Sequence, residues 1–405
     1  MGQFIKSIGS SLKRVDFIDC SLHPNSMVGS ILGSCSTVAR VSFSRETKIP
    51  RSSSNFVSRS PEGQITPLPM KPYYFLTYLK LAFEYPSDIC RFQVDSNQLS
   101  SIIRQCHSLQ HLFMDSGGSV HHGQCIMEAL KHCPQITNIV VSDKATMPQT
   151  VTSAIDENEY DTSLAGSGYL PVRSQKVKGL RRLVLTGWKI KLTYKNLALI
   201  FKRAHKSLEL LYLHFNGETI NPTALDKLAS YGAPRLRELR LSTEDYASSV
   251  NRHQSITKVL ALLFASTPAL EAIDINDTFN TLASFSSYDT HNPRGILEVD
   301  DTVLKSIAKN CLQIRHIRIA GERKFTKDGM VLLATKGGSR LTYLEADMDR
   351  SAIVPVVQKL TSLKVLYLRK DTYRIGDAMS ELSEGLEESL VRRILRERGG
   401  QLIVL

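Results

Sequence analysis

One short apolar spacing, LxxLxL, returns along the whole length of this chain, and a motif repeating in phase constrains the fold more than any single residue can. It reads Leu12/Val15/Phe17, Val38/Val41/Phe43, Leu76/Leu79/Leu81, Leu109/Leu112/Met114, Ile136/Ile139/Val141 and Leu180/Leu183/Leu185. The second half carries Leu208/Leu211/Leu213, Leu236/Leu239/Leu241, Leu270/Ile273/Ile275, Ile314/Ile317/Ile319, Leu341/Leu344/Ala346 and Leu363/Leu366/Leu368. About ten such triplets arise by chance in a chain of this size at ordinary composition. Phase and context therefore carry the argument.

Six of the eleven intervals between first positions fall at 22 to 28 residues, the span of a leucine-rich repeat. An amphipathic stretch precedes each triplet, as with Val303, Leu304, Ile307 and Ala308, or Met330, Leu333 and Ala334, so the repeating unit is one strand and one helix. Asp301 is placed to cap the first of these helices, and Gly337 or Gly338 to end the second. The predicted fold class is α/β: a leucine-rich-repeat solenoid (horseshoe) with a short parallel sheet on the concave face and helices on the convex face. The expected organisation is a single array over 1–405 of about twelve repeats. Insertions at 44–75, 142–179 and 276–300 interrupt it, and Arg-Ser strings in the first are candidate kinase substrates. A C-terminal helix over 377–398 caps the array, ended by Gly399-Gly400, and Gln401 to Leu405 adds a last strand.

Composition narrows the setting. No apolar run is long enough to span a bilayer, and Met1 to Ser11 lacks the parts of a secretory signal. Lys6 stands where myristoylation of Gly2 needs Ser or Thr. Seven cysteines, an odd number without a signal, indicate reduced thiols and a cytoplasmic or nuclear location. A net charge of +12 admits an acidic protein, nucleic acid or a solvated basic surface.

Four of the cysteines, Cys35, Cys106, Cys133 and Cys311, stand three residues before the first apolar position of a triplet. With the stretches Asp301 to Ile319 and Thr326 to Ala346, this slot resembles the cysteine-containing repeats of the F-box/LRR family. At the Asn or Cys place after the triplet only Cys20 and Asn216 match, and no F-box is identified before the first repeat. The resemblance implies substrate recognition in an SCF-type ubiquitin ligase, with the ligase adaptor as a partner if an F-box precedes Met1. The alternatives are a free-standing scaffold or effector-like repeat protein and, third, a basic nucleic-acid-binding protein.

Catalytic and metal chemistry find little footing. Cys106-His107 and His132-Cys133 have the wrong spacing for a zinc finger or ribbon, and their shared slot reads as small buried groups. Leu164 to Gly168 is not a nucleophile elbow, and no phosphate loop occurs. The sequence points to no enzyme, metal or cofactor. The surface a solenoid must expose is the third and fifth residue of each triplet. The partner-binding candidates taken from it are Arg14, Arg40, Tyr78, Lys80, His111, Phe113, Arg182, Tyr212 and Arg240. The whole face carries a net charge of only +2, which disfavours nucleic acid. The expected partner is a protein substrate, with an acidic segment docked near Tyr78, Lys80, His111 and Phe113; no membrane partner is expected.

Overall fold

A strand that buries the fourth and sixth residues of LxxLxL must turn its third and fifth to the opposite face. The computed structural model has this arrangement in every described coil from Leu79 and Leu81 onward. The structure describes residues 12–18, 31, 35, 37–44, 75–81, 96–115, 121–142, 179–186, 190, 192–215, 223–243, 254–277, 297–320, 323–346, 348, 350–368 and 381–404. They belong to two compact units, Met1–Asn196 and Leu197–Leu405.

In the first unit six strands lie parallel in sequence order: β1 (Arg14–Ile18), β2 (Arg40–Ser44), β3 (Tyr78–Leu81), β4 (His111–Asp115), β5 (Asn138–Ser142) and β6 (Arg182–Leu185). Every third position pairs with the next third position, so Arg14, Arg40, Tyr78, His111, Asn138 and Arg182 share one row. Parallel neighbours need a crossover. Helices Ser96–Gln105 and His122–His132 supply two of these and pack side by side. From β2 onward the inward residues Val41, Leu79, Leu112, Ile139 and Leu183 are fully buried.

A main-chain device locks the register. The second-position carbonyl of one coil accepts two N–H groups from the next: Ala39 from Thr77 and Tyr78, Thr77 from Gln110 and His111, Gln110 from Thr137 and Asn138. Thr77 and Thr137 add a hydroxyl donor to the same carbonyl, each at 3.1 Å. A slip of one residue would break this ladder and turn the buried leucines outward.

The second unit repeats the plan. Its parallel strands are β7 (Leu210–Phe215), β8 (Glu238–Thr243), β10 (Ala272–Asp277), β12 (His316–Ala320), β14 (Tyr343–Ala346), β15 (Val365–Leu368) and β16 (Gln401–Val404). Helices Thr223–Tyr231, Thr257–Ala265, Asp301–Asn310, Lys327–Leu332 and Arg350–Lys359 intervene, and Glu381–Glu397 precedes β16. Short parallel strands, one per repeat, with helices on the side that receives the leucines, make this an α/β leucine-rich-repeat architecture. Each unit has it independently.

The cysteine slot has a physical meaning. Its residue closes a turn in which its carbonyl accepts the N–H of the first apolar position, as Cys106 does from Leu109, Cys133 from Ile136 and Cys311 from Ile314. Ala233, Thr267, Gly338 and Leu360 make the same turn. Cysteine adds a thiol that satisfies helix-end carbonyls in a dry site: Cys106 Sγ donates to Ile102 O at 3.1 Å and Cys133 Sγ to Ile103 O at 3.4 Å.

Several local expectations are corrected. Asp300, not Asp301, caps the helix Asp301–Asn310, its carboxylate accepting the Thr302 N–H at 2.8 Å. The extended strand β11 (Leu297–Asp300) runs to that residue, which leaves Asp301 already helical. Asp301 instead accepts from the N–H and hydroxyl of Thr326, the cap of the next helix. The helix from Lys327 runs on through one wide turn, Leu333–Gly337, and ends at Gly338 as expected but without a left-handed residue, one tight turn, Gly338–Arg340, following. Glycine is needed there for room. A Cβ on Gly337 would sit 2.7 Å from Ala308 Cα, and one on Gly338 2.1 Å from Leu360 Cδ2. Gly399, at φ +67, does terminate the last helix: its N–H bonds to Arg396 O and that of Gly400 to Leu395 O.

Within the expected insertions, β11 is strand rather than loop. It pairs with β9 (Gln254–Ser255) and β13 (Arg323–Lys324) in a small second sheet. Two-residue strands leave no periodicity to read. Residues 45–74, 143–178 and 278–296, and 377–380 of the expected last helix, lie outside the described residues, as do Cys20 and Asn216.

Candidate interaction surface

Side chains at third and fifth positions project from neighbouring strands about 4.8 Å apart, so their identities along the rows decide what the surface can bind. In the first unit the two rows hold four cations, Arg14, Arg40, Lys80 and Arg182, against one carboxylate, Asp16. Arg14 and Arg40 share that carboxylate. Arg14 pairs with it closely, while Arg40 Nε stays 3.7 Å from Asp16 Oδ1.

The Arg40 guanidinium lies over the Tyr78 ring, 4.2 Å from its centroid. This cation–π contact restrains a long side chain, whose Nε is buried beside Asp16 and makes no hydrogen bond among the described residues. The aromatic contact continues: Tyr78 lies 5.1 Å from Phe113 and 6.0 Å from His111, ring to ring. Asn138 Nδ2 donates to His111 Nδ1 at 2.7 Å. Arg14, Arg40, Tyr78, Lys80, His111 and Phe113 thus come from four successive strands and form one patch. Arg182 ends the same row two strands further on.

Phe113 is only 8% exposed. It packs against the Tyr78 ring and offers a partner little area of its own. Tyr212, in the second unit, is equally buried, and it faces Arg240 across β7 and β8.

The second unit's rows spend their charges on one another. Arg240 pairs with Glu238 on its own strand. Arg318 Nε lies 3.0 Å from Glu345 Oε2, close enough for an ion pair though not aligned as a hydrogen bond, and its Nη1 lies 3.8 Å from Asp274. Tyr343 donates to Glu345 at 2.9 Å and stacks on His316 at 4.1 Å. Burial, reinforced by the positive charges of Arg240 and Arg318, pushes the His316 pKa down to about 4. Burial also raises the pKa of Asp274 despite those two arginines. These couplings were not legible beforehand; the only signal was opposite charges at third and fifth positions, within one copy for Glu238 and Arg240 and on adjacent copies for Asp274, Arg318 and Glu345.

The buried thiols are held protonated. Desolvation pushes Cys133 and Cys311 up to about 12 and Cys125 to about 11, far from the thiolate that metal binding or nucleophilic attack needs. His107 Nδ1 lies 3.0 Å from the His132 carbonyl oxygen, within hydrogen-bond distance. Among the described residues no group of three or more His, Cys, Asp or Glu is placed to hold a metal ion. No described helix is long and apolar enough to cross a membrane.

No family model matches the chain. No curated protein matches it either. Among solved structures it is similar to one described as Rad7 and Elc1 complex in yeast, at 12% identity and TM-score 0.38, covering 91% of this chain and 82% of that one. It is also similar to the leucine-rich repeat-containing protein LegL7 from Legionella pneumophila, at 9% identity and TM-score 0.32, covering 100% of this chain and 86% of that one. These likenesses are distant, and the architecture rests on the strand register and burial within each unit.

Proposed function

We propose that this chain is a protein-recognition module whose strand face in Met1–Asn196 receives an acidic segment of a partner. The observation that carries the reading is the patch in which Arg40 lies over Tyr78 beside Lys80 and keeps 30% of its side chain exposed. Rigid aromatic and arginine side chains bury area with limited loss of rotamer freedom, the property that marks interface anchors. The ladder of shared carbonyls keeps the strands beneath them fixed.

Fluorescence anisotropy with labelled acidic, neutral and basic peptides of equal length tests it. Acidic peptides should bind most tightly and lose affinity in Arg40→Ala and Tyr78→Ala. Equal binding of all three sinks the idea. The finer reading, a substrate receptor of an SCF-type ligase, is supported by the cysteine slot and its F-box/LRR resemblance. Co-purification of adaptor and cullin that depends on an in-frame upstream F-box would support that role; failure with such an extension present would favour a free-standing scaffold. We propose further that 1–405 acts as one array, since the spacing of 28 residues from Leu180 to Leu208 equals that from Leu208 to Leu236. Limited proteolysis releasing two stable halves would contradict it.

A further inference from the structure

The first unit's open row is not uniformly basic. Read along the third positions from β2 to β6, it runs cation, aromatic, imidazole, amide, cation: Arg40, Tyr78, His111, Asn138, Arg182. Lys80 and Phe113 stand beside its aromatic part in the fifth row. Strands in a sheet are about 4.8 Å apart, so the four steps from Arg40 to Arg182 cover about 19 Å. An extended peptide rises about 3.3 Å per residue and returns to the same face every second residue. Six residues therefore span about 20 Å and bring both ends to the same side.

We infer that the acidic segment taken by this face is an extended strand crossing the sheet, with carboxylates six residues apart and an apolar residue two places after the first. This rests on the function proposed for the same face and specifies its ligand. The first carboxylate meets Arg40, whose guanidinium lies over the Tyr78 ring on a side chain that is 30% exposed. The apolar side chain then reaches the Tyr78 and His111 rings. The last carboxylate meets Arg182. A nucleic-acid backbone suits the row less well, because its anion at every nucleotide would cross Tyr78, His111 and Asn138, where the row holds no full positive charge.

The test uses three labelled eleven-residue peptides in a Ser/Gly background, measured by anisotropy on the full chain. The first has Glu at places 3 and 9 with Leu at 5, the second has Glu at 3 and 4 with Leu at 5, and the third has Gln in place of both Glu. The first should bind about tenfold more tightly than the second, one well-placed charge contact being of that order. Arg182→Gln should erase that advantage, while Arg40→Gln weakens both, and Lys309→Gln on a helix face leaves both unchanged. Circular dichroism confirms that each variant is folded. Equal binding of the first two, both above the third, overturns the spacing and leaves the acidic-segment reading standing. No preference for either over the third overturns both. Tighter binding of a twelve-nucleotide oligouridine, with a steeper salt dependence, overturns the peptide in favour of RNA. The chain also has an acidic stretch of its own, Asp156, Glu157, Glu159 and Asp161. If the first peptide binds only after those four are neutralised, the occupant is that stretch and not a partner.

Discussion

The two units bury their leucines alike, yet their open faces differ. In Met1–Asn196 the two rows hold four cations and one carboxylate, which Arg14 and Arg40 share, and Arg40 rests on a tyrosine ring. In Leu197–Leu405 two arginines are held by three carboxylates, and the aromatic residues are stacked or buried among them. The same repeat thus supports two electrostatic solutions. Where opposite charges occupy adjacent coils, the face stabilises itself and has less to give a ligand; where one sign dominates, attraction is left for a partner.

The largest expected effect tests whether the cores really are alike. Leu112→Ala in the first unit and Leu239→Ala in the second should each cost roughly 2 to 5 kcal/mol in urea denaturation, since both side chains are fully buried. A loss below about 0.5 kcal/mol in one alone would show that the units differ in packing as well as in charge.

Phe113→Ala and Tyr78→Ala separate support from contact on the first face. Phe113 is buried, so its loss should lower stability by about 3 kcal/mol. Tyr78 is half-buried and carries Arg40. Its loss should weaken an acidic ligand by about 2 kcal/mol with a smaller change in stability. The reverse pattern would move the anchor to Phe113.

The second face should be the pH-sensitive one. His316 has its pKa pushed down to about 4, below the roughly 6.5 of an unfolded histidine. Between those values the unfolded chain takes up a proton that the folded chain refuses. Stability is unaffected by this group above pH 6.5 and falls as pH drops toward 4, by about 2 kcal/mol at pH 5. His316→Gln should flatten that part of the profile. An unchanged slope in the variant would assign the loss to other groups.

The smallest effects concern the ion pairs. Glu345→Gln strips Arg318 of its nearer carboxylate in a largely buried setting and should cost about 1 to 2 kcal/mol. Arg14→Gln, on a side chain 59% exposed, should change stability by less than about 0.5 kcal/mol. Comparable losses would mean the first face is as self-paired as the second.

What the sequence by itself determined is the coil. LxxLxL placed each strand and its inward residues, and the cysteine slot marked the turn into the strand, because both follow from local periodicity and from side chains that must be buried. The nine proposed contact residues were legible as outward positions by the same alternation. Their differences were not. Phe113 and Tyr212 sit at outward positions and are nonetheless buried, Arg318 spends its charge on Asp274 and Glu345, and Arg40 finds Tyr78, because exposure and pairing depend on residues one coil away, some 30 positions along the chain. The second sheet of β9, β11 and β13 and the crowding that demands Gly337 and Gly338 arise in the same way. Stacking sets the distance between coils, and only the tertiary structure determines which side chains that distance brings together.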